Sequence, residues 1–309
     1  MSRAGGVVSR DFPLADSPSL RSRAEAWLGR LSGEAGAATE QAAGQAAGQA
    51  AGQAADRRLP VSPKAAATVM FVRDGEAGVE VFMLRRVASM AFAPRMMVFP
   101  GGGVDPRDAD PAVPWAGPSP AHWAAVLGSP EPRARELVSA AVREVFEECG
   151  VLLAGPDDHT VIDDVTGHHW HEQRRRLLAR EVSLCQVLKE HDLVLRSDLL
   201  GYRAHWVTPE FEARRYDTRF FSAAVPVGQQ ADDRTTEADL ADWVRPAELL
   251  DAWRAGSALM LPPTVVAVEE VAAASSAASF IAEQPVVRRV QPELVQTAEG
   301  LFMRAELPR

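Results

Sequence analysis

Apolar residues dominate two neighbouring segments, 66–73 and 79–86, and the short link between them contains Asp74-Gly75 and Gly78. Apolar runs of this length, rich in β-branched and aromatic residues, are typical of strands, and a glycine-containing link is typical of a hairpin turn. We therefore predict a β-hairpin. A further apolar run at 96–99 predicts a short buried strand that ends at a glycine-rich turn.

A helical pattern follows from about residue 132 to 149. Its apolar residues recur at intervals of three and four, and Gly150 then provides a typical helix end; they are Leu137, Val138, Ala141, Val142, Val145 and Phe146. Other patterns predict helices at 170–191, 246–254 and 263–283, and strands near 203–208, 219–224 and 241–244. Interleaved strands and helices with a hairpin predict an α/β fold, in which helices cover a mixed sheet in an α/β/α sandwich.

Composition divides the chain into three parts. Residues 41–56 repeat Ala-Ala-Gly-Gln and offer no large apolar side chains to offset the entropy of ordering. We therefore predict a low-complexity, disordered tail at 1–62, with a short amphipathic helix at 20–31, a folded domain at 63–285 and a weakly structured C-terminal tail at 286–309. Within the domain, residues 105–132 are rich in Pro, Ala, Asp and Trp and are predicted to form an insertion or loop.

Charge and cysteine content exclude several classes of protein. The net charge of −9 disfavours nucleic-acid binding, including mRNA decapping, because that binding depends on neutralising phosphates. No run of eighteen apolar residues predicts a membrane span, and the first twenty residues lack the apolar core of a secretory signal. The two cysteines, Cys149 and Cys185, cannot form a disulfide framework, so we expect a reducing compartment, the cytoplasm.

Three glutamates on the predicted helix carry the candidate chemistry. Glu144, Glu147 and Glu148 are spaced by three and four residues, so they share one face and repel one another. A hard cation such as Mg²⁺ or Mn²⁺ relieves that repulsion through oxygen ligands, and it can activate water beside a phosphate. Arg143 can hold one carboxylate in place. A solvated acidic helix face is the alternative, but the preceding glycine turn lets backbone approach a metal or phosphate closely.

The segment Arg143-Glu144-Val145-x-Glu147-Glu148-x-Gly150-Val151 resembles the second half of the Nudix box of the Nudix hydrolase superfamily, and Gly101-Gly102 resembles its opening. The resemblance implies a Nudix-type α/β/α sandwich with an insertion within the box, extra helices, and hydrolysis of a nucleoside diphosphate linked to another moiety. It also implies that Glu144, Glu147, Glu148 and the Gly102 carbonyl bind metal, with Arg143 as their orienting partner. The chain departs from the family pattern at Arg135, where a glutamate is usual.

Several longer segments resemble the Nudix branch that includes the animal peroxisomal coenzyme A diphosphatase and its bacterial relatives. They are residues 82–86, 92–94, 98–102, 203–209, 214–221 and 261–264. The resemblance makes coenzyme A or an acyl-coenzyme A the leading candidate substrate. The branch usually has glycine after the position of Pro94, which implies a special backbone conformation, and this chain has Arg95 there.

Arginines and backbone amides are the candidate groups for binding the substrate. Arg85, Arg86 and Arg219 could bind a diphosphate through bidentate hydrogen bonds, together with Gly101 and Gly102, although each arginine also fits a surface ion pair.

The general base has three candidates. Glu237 lies shortly before a predicted strand, in a region from which many Nudix enzymes draw an acidic residue, and a solvated loop glutamate is its other interpretation. Glu144 and Glu148 are the alternatives within the helix.

Two functional hypotheses follow from these residues. The first is a metal-dependent hydrolase of a small-molecule nucleoside diphosphate, with no nucleic-acid or membrane partner and with a homodimer left open. The alternative is a Nudix-fold module that senses a nucleotide without turnover. The three glutamates argue against the alternative, because a pure binding module need not keep them.

Overall fold

The computed structural model describes residues 6–14, 20–29, 60–88, 93–234 and 238–309. Contacts divide the chain into two units. The first consists of residues 1–63, 207–215 and 290–309, and the second of residues 64–206 and 216–289. Among the described residues, none of the helices combines the length and the apolar character that a membrane crossing needs.

The described residues form fourteen strands and eight α-helices. The strands are β1 (Val7–Pro13), β2 (Lys64–Gly75), β3 (Gly78–Arg86), β4 (Met97–Val98), β5 (Gly101–Gly103), β6 (Trp115–Ala116), β7 (Ala154–Gly155), β8 (Val194–Arg196), β9 (Gly201–Val207), β10 (Tyr216–Ala224), β11 (Ala238–Val244), β12 (Arg289–Val290), β13 (Glu293–Thr297) and β14 (Gly300–Pro308). The helices are α1 (20–29), α2 (Pro120–Leu127), α3 (Glu131–Cys149), α4 (His168–Leu178), α5 (Leu184–Glu190), α6 (Pro246–Arg254), α7 (Pro262–Ala272) and α8 (Ala277–Ala282).

A mixed sheet with the strand order β11-β3-β2-β10-β9-β12 forms the centre of the second unit. The predicted hairpin is confirmed, since β2 and β3 pair antiparallel up to Gly75 and Gly78. The short strands β4 and β5 pair with β3 and β2, and β10 runs parallel to β2. The glycine turn therefore lies beside the middle of the sheet.

One face of the sheet packs against α3. Val69 and Phe71 of β2 share a buried cluster with the apolar face of α3, which includes Val138 and Val142. Helices α7 and α8 bury a separate set of side chains, among them Val268. The predicted mixed α/β fold, with a helix face that carries the glutamates, is confirmed.

The insertion at 105–132 is folded rather than a loop. It contains the 3₁₀ helix Pro106–Ala109, strand β6 and helix α2, and β6 joins β8 and β7 in a small sheet. Trp123 of α2 is buried edge-on against Phe221, with 5.8 Å between the ring centroids. Burial of this large aromatic surface explains why the segment folds onto the core.

Two predicted helices are each interrupted. The segment predicted as one helix at 170–191 forms α4 and α5, and Arg180 between them has a φ of +59°. The segment at 263–283 likewise forms α7 and α8. Apolar periodicity does not reveal a break when both halves face the same core, as α4 and α5 do.

The prediction of a weakly structured C-terminal tail was wrong, and part of the N-terminal tail is also ordered. In the first unit, β1 pairs antiparallel with β14, which also pairs with β13. Phe12, Met303 and Ala305 are buried there, so each terminus supplies apolar surface that the other covers. Helix α1 matches the predicted amphipathic helix, while residues 41–56 lie outside the described residues.

Arg95 adopts the conformation that a glycine would favour. Its φ is +60°, in the left-handed region, and its N–H donates to the Arg86 carbonyl at 3.0 Å in the turn between β3 and β4. A residue with a Cβ atom pays roughly 1 kcal/mol for this conformation.

Arg95→Gly is therefore expected to raise the free energy of unfolding by up to about 1 kcal/mol, because glycine relieves the left-handed strain. Arg95→Ala is the matched control, since alanine also has a Cβ atom and should give no such gain. Urea unfolding followed by circular dichroism measures both. Equal stabilities for the two variants would contradict a strained Arg95.

Candidate functional site

The glutamates of α3 are buried rather than solvated. Glu144, Glu147 and Glu148 are 8%, 9% and 6% exposed, and Arg143 beside them is 6% exposed. A solvated acidic helix face would leave these side chains mostly accessible, so that alternative is wrong. Buried charges persist only when they are paired or bind an ion, which makes their partners decisive.

All three nitrogens of the Arg143 guanidinium group donate hydrogen bonds. Nη1 donates to Glu144 Oε1 at 2.8 Å and to Glu147 Oε2 at 3.0 Å. Nη2 donates to the Gly103 carbonyl at 2.9 Å and to Asp108 Oδ2 at 3.0 Å, and Nε donates to Asp108 Oδ1 at 3.0 Å. One side chain thus ties the helix to the glycine turn and to the insertion.

Asp108 is a site residue that the sequence analysis missed. It lies in the 3₁₀ helix of the insertion, where its Oδ2 accepts the Asp105 N–H at 2.8 Å in a capping box with Pro106 at the first position. The Asp-Pro-x-Asp spacing was a readable signal for this cap. Its contact with Arg143 had no local signal, because the two residues lie 35 positions apart.

The glycine turn meets the helix at two of the glutamates. The Gly101 N–H donates to Glu148 Oε2 at 2.7 Å. A Cβ atom on Gly102 would lie 2.6 Å from both Glu144 carboxylate oxygens, a distance that real Cβ atoms essentially never show. A side chain at position 102 would therefore force the Glu144 carboxylate to move.

Burial sets the electrostatics of the cluster. Burial raises the pKa of Glu144 to about 7, with Glu147 and Asp108 adding to the rise and Arg143 opposing it. Burial also raises the pKa of Glu147 and of Asp108, against the influence of Arg143. Although burial disfavours its charge, the carboxylates raise the pKa of Arg143. The buried carboxylates outnumber the buried arginine, so negative charge is in excess.

The donor set fits a hard divalent cation. Carboxylate oxygens and a backbone carbonyl are the ligands that Mg²⁺ and Mn²⁺ prefer, and such a cation would offset the excess negative charge. The room beside Glu144 that only Gly102 leaves open is a second feature that fits. In the described part of the chain, no three His, Cys, Asp or Glu side chains converge on one metal position. Arg143 binds Glu144 and Glu147 in this arrangement, and Gly101 binds Glu148.

Arg219 lies on the same face of the sheet as the glutamates. Strand pairing aligns Arg219 with Ala67 and Ala67 with Gly102, which places Arg219 two strands, about 10 Å, from the turn. Arg219 is buried and pairs with Asp217, and its Nε has no hydrogen-bond partner in the described residues. Asp217 Oδ1 also lies 2.7 Å from His205 Nε2, within hydrogen-bond distance.

Arg85 and Arg86 point to opposite faces of β3, because successive side chains of a strand alternate. Arg86 shares its face with Phe82 and Leu84, which pack in the α3 cluster, and its buried Nε has no partner in the described residues. Arg85 lies on the other face in an exposed ion pair with Asp239 at 2.6 Å. The structure therefore does not bring Arg85 together with the glutamates.

Two further sequence candidates have different outcomes. Arg135, which stands at the position of the usual box glutamate, lies over the ring of Trp115, 5.5 Å from its centroid, so it has no place in the cluster. Glu237, the candidate general base, lies outside the described residues.

Comparisons with known proteins agree with this geometry. The family model of the NUDT19 Nudix domain matches residues 119–271. The Acyl-coenzyme A diphosphatase NUDT19 of Xenopus laevis is 25% identical over an alignment of length 222, and the match covers 60% of this chain and 57% of that protein. Its counterpart in Gallus gallus is 27% identical over an alignment of length 228, and that match covers 61% of this chain and 60% of the relative. The chain thus spans less than two thirds of the length of these relatives.

A solved structure is also similar. The crystal structure of a NUDIX hydrolase from Alicyclobacillus acidocaldarius has a TM-score of 0.61 and 25% sequence identity to this chain. The match covers 73% of this chain and 98% of the crystallised one, so the fold around the candidate site is shared.

Arg143→Met is expected to lower the free energy of unfolding by about 3–5 kcal/mol at neutral pH, because it leaves buried carboxylates unpaired. Without Arg143 the pKa values of those carboxyl groups rise further in the folded state. Stability is then greatest at low pH and is lost as pH rises from about 4.5, the ordinary pKa of Glu144, through about 7 and beyond. Denaturant unfolding in metal-free buffer should show a larger deficit at pH 8 than at pH 5. Arg133→Met, a change at an exposed arginine of the same helix, should show no pH-dependent deficit.

Proposed function

Because the chain belongs to the Nudix hydrolase superfamily, we propose that it hydrolyses a diphosphate linkage in a nucleoside diphosphate derivative, with a divalent cation as cofactor. The observation that carries the proposal is the buried cluster of Glu144, Glu147 and Glu148 against the glycine turn. The cluster holds more carboxylates than Arg143 can neutralise, and a divalent cation held by Glu144, Glu147 and Glu148 would offset the excess charge.

Glu144, Glu147, Glu148 and the Gly102 carbonyl would hold the cation, either Mg²⁺ or Mn²⁺. When bound, the cation withdraws charge from phosphate oxygens and lowers the pKa of water. Arg143 orients Glu144 and Glu147, and Asp108 holds Arg143 from the opposite side. A glutamate takes the proton from the attacking water as the general base. Glu144 and Glu148 are candidates for this role, and Glu237 is the third.

The substrate class we propose is coenzyme A or an acyl-coenzyme A. The proposal is supported by the similarity to proteins with the name Acyl-coenzyme A diphosphatase. Arg219 and Arg86 lie on the face of the sheet that carries α3, the face on which Leu84 and Phe221 join the buried cluster. A guanidinium group matches a phosphate through two parallel hydrogen bonds, so these two arginines are the proposed contacts to the diphosphate.

Glu147→Gln and Glu148→Gln are each expected to lower kcat by more than about 100-fold, because even outer-shell partners of a metal contribute about 10–100-fold. The assay uses purified full-length chain with Mg²⁺ or Mn²⁺ against coenzyme A, an acyl-coenzyme A, ADP-ribose, NADH and nucleotide sugars, with products identified by mass spectrometry. Glu131→Gln, at an exposed position of the same helix, is the control. Activity retained in both variants would overturn the site. Tight binding without turnover by the wild-type chain would instead favour a sensing module.

Arg219→Met and Arg86→Met are expected to raise KM for the preferred substrate by about tenfold or more, since a hydrogen bond to a charged group contributes about 1.5–3 kcal/mol. Arg85→Met is the matched control, because Arg85 neighbours Arg86 in sequence but lies on the opposite face in an ion pair with Asp239. Steady-state kinetics measure KM for all three variants. An equal effect of Arg85→Met and Arg86→Met would contradict the assignment by strand face.

A further inference from the structure

The C-terminal end of α3 is closed by groups from outside the helix. The last carbonyls of a helix have no partners within it and form the negative end of its dipole. Here Arg174 Nε of α4 donates to the Glu147 carbonyl at 2.8 Å, and the Asp232 N–H donates to the Cys149 carbonyl at 2.9 Å. Both acceptors are next to Glu148 along the chain.

An ion pair joins these two groups into a closed ring. Arg174 Nη1 donates to Asp232 Oδ1 at 2.7 Å, and Arg174 is 4% exposed. Gly150 leaves the room for the pair, because a Cβ atom there would lie 3.0 Å from Arg174 Nη1 and 3.1 Å from Asp232 Oδ2. The φ of +70° at Gly150 also favours glycine. Gly150, which ends helix α3, thus also leaves space for the Arg174–Asp232 ion pair.

Neighbouring contacts hold the same segment on the other side. Arg234 Nη1 lies 2.7 Å from Nε2 of His171, which is one helical turn before Arg174 in α4, and the Arg234 N–H donates to Asp232 Oδ1 at 3.1 Å. Gln229, which is 6% exposed, accepts the Leu152 N–H at 2.8 Å and donates to the Leu152 carbonyl at 3.0 Å. The segment 229–234 is therefore attached both to α4 and to the residues that follow α3.

We propose that Arg174 and Asp232 form a lock, the Arg174–Asp232 lock, that positions Glu147 and Glu148 for binding the cation. The inference rests on the proposed function and deepens it, because it assigns positioning residues outside the Nudix box. Arg174 holds the backbone of Glu147, so unwinding of the last turn would move that carboxylate away from Arg143. It would also move Glu148 away from the Gly101 N–H. A displacement of about 1 Å can lower a rate by about 100-fold.

The lock differs from a purely structural cap in what its loss should change. Arg174 Nη2 is buried and has no hydrogen-bond partner in the described residues, so burial of this arginine is already costly. Removing one member of a buried ion pair destabilises a protein because it leaves the other charge buried and unpaired. That cost is reduced here, since the Asp232 side chain is 29% exposed and can be solvated. Arg174→Met is thus expected to affect cation binding and kcat more than folding.

The test compares Arg174→Met, Arg174→Lys and Asp232→Asn in the full chain. Mn²⁺ affinity is measured by electron paramagnetic resonance without substrate, kcat and KM with the preferred substrate, and stability by urea unfolding. Arg174→Met should weaken Mn²⁺ affinity and lower kcat by about 10–100-fold with KM for the substrate nearly unchanged. The Mn²⁺ affinity and kcat of Arg174→Lys should lie between those of Arg174→Met and wild type. Lysine can donate to the Glu147 carbonyl, but it lacks the planar guanidinium group that also binds Asp232. Arg174→Met combined with Asp232→Asn should be no worse than Arg174→Met alone.

Arg175→Met is the matched control, since Arg175 is next in α4 but 54% exposed, where it pairs with Glu172 and Glu181. A folded Arg174→Met chain with wild-type Mn²⁺ affinity and kcat would overturn the lock, even if its unfolding midpoint fell. Should Arg174→Met fail to fold, wild-type Mn²⁺ affinity and kcat in Asp232→Asn would overturn it instead. Failure of the wild-type chain to hydrolyse any substrate would contradict the proposed function alone, because the Mn²⁺ affinities would still decide the lock.

Discussion

The guanidinium group of Arg143 is the interaction on which the rest of the site depends. Burying several carboxylates in one place costs far more than their helix and turn could offset alone, and Arg143 compensates part of that cost with five N–H donors directed at four partners. Because those partners come from the helix, the glycine turn and the insertion, one side chain also fixes their relative positions. A lysine could neutralise the charge but could not hold three chain segments at once.

What could be predicted from the sequence is what short-range periodicity encodes. Residues within a few positions of one another determine the β2–β3 hairpin, the apolar face of α3 and the end of that helix. These features can therefore be predicted from a single sequence. Asp108 and Arg174 could not be assigned in this way. Their partners lie far along the chain, and an aspartate or arginine in an unexceptional context carries no mark of the contact it will make.

Two differences from expectation have simple physical causes. The termini were expected to be tails because neither carries enough apolar surface to fold alone, yet β1 and β14 bury Phe12 and Met303 by pairing. Pairing between the two ends of a chain has no local signature. The placement of Arg85 and Arg86 on opposite faces, in contrast, was available from strand alternation once β3 had been predicted.

The parallel pairing of β2 with β10 has a consequence for how the protein acquires its site during synthesis. The strand that flanks the glycine turn receives this neighbour only after the insertion, α3, α4 and α5 have all been made. Contacts of such long sequence separation form slowly, because the chain loses the entropy of closing the loop before the contacts contribute any stabilising free energy. Helix α3 is therefore complete before the ribosome delivers β10, the strand that carries Arg219. In that interval the edge of β2 that later pairs with β10 has no partner strand, and unpaired strand edges favour aggregation of a nascent chain.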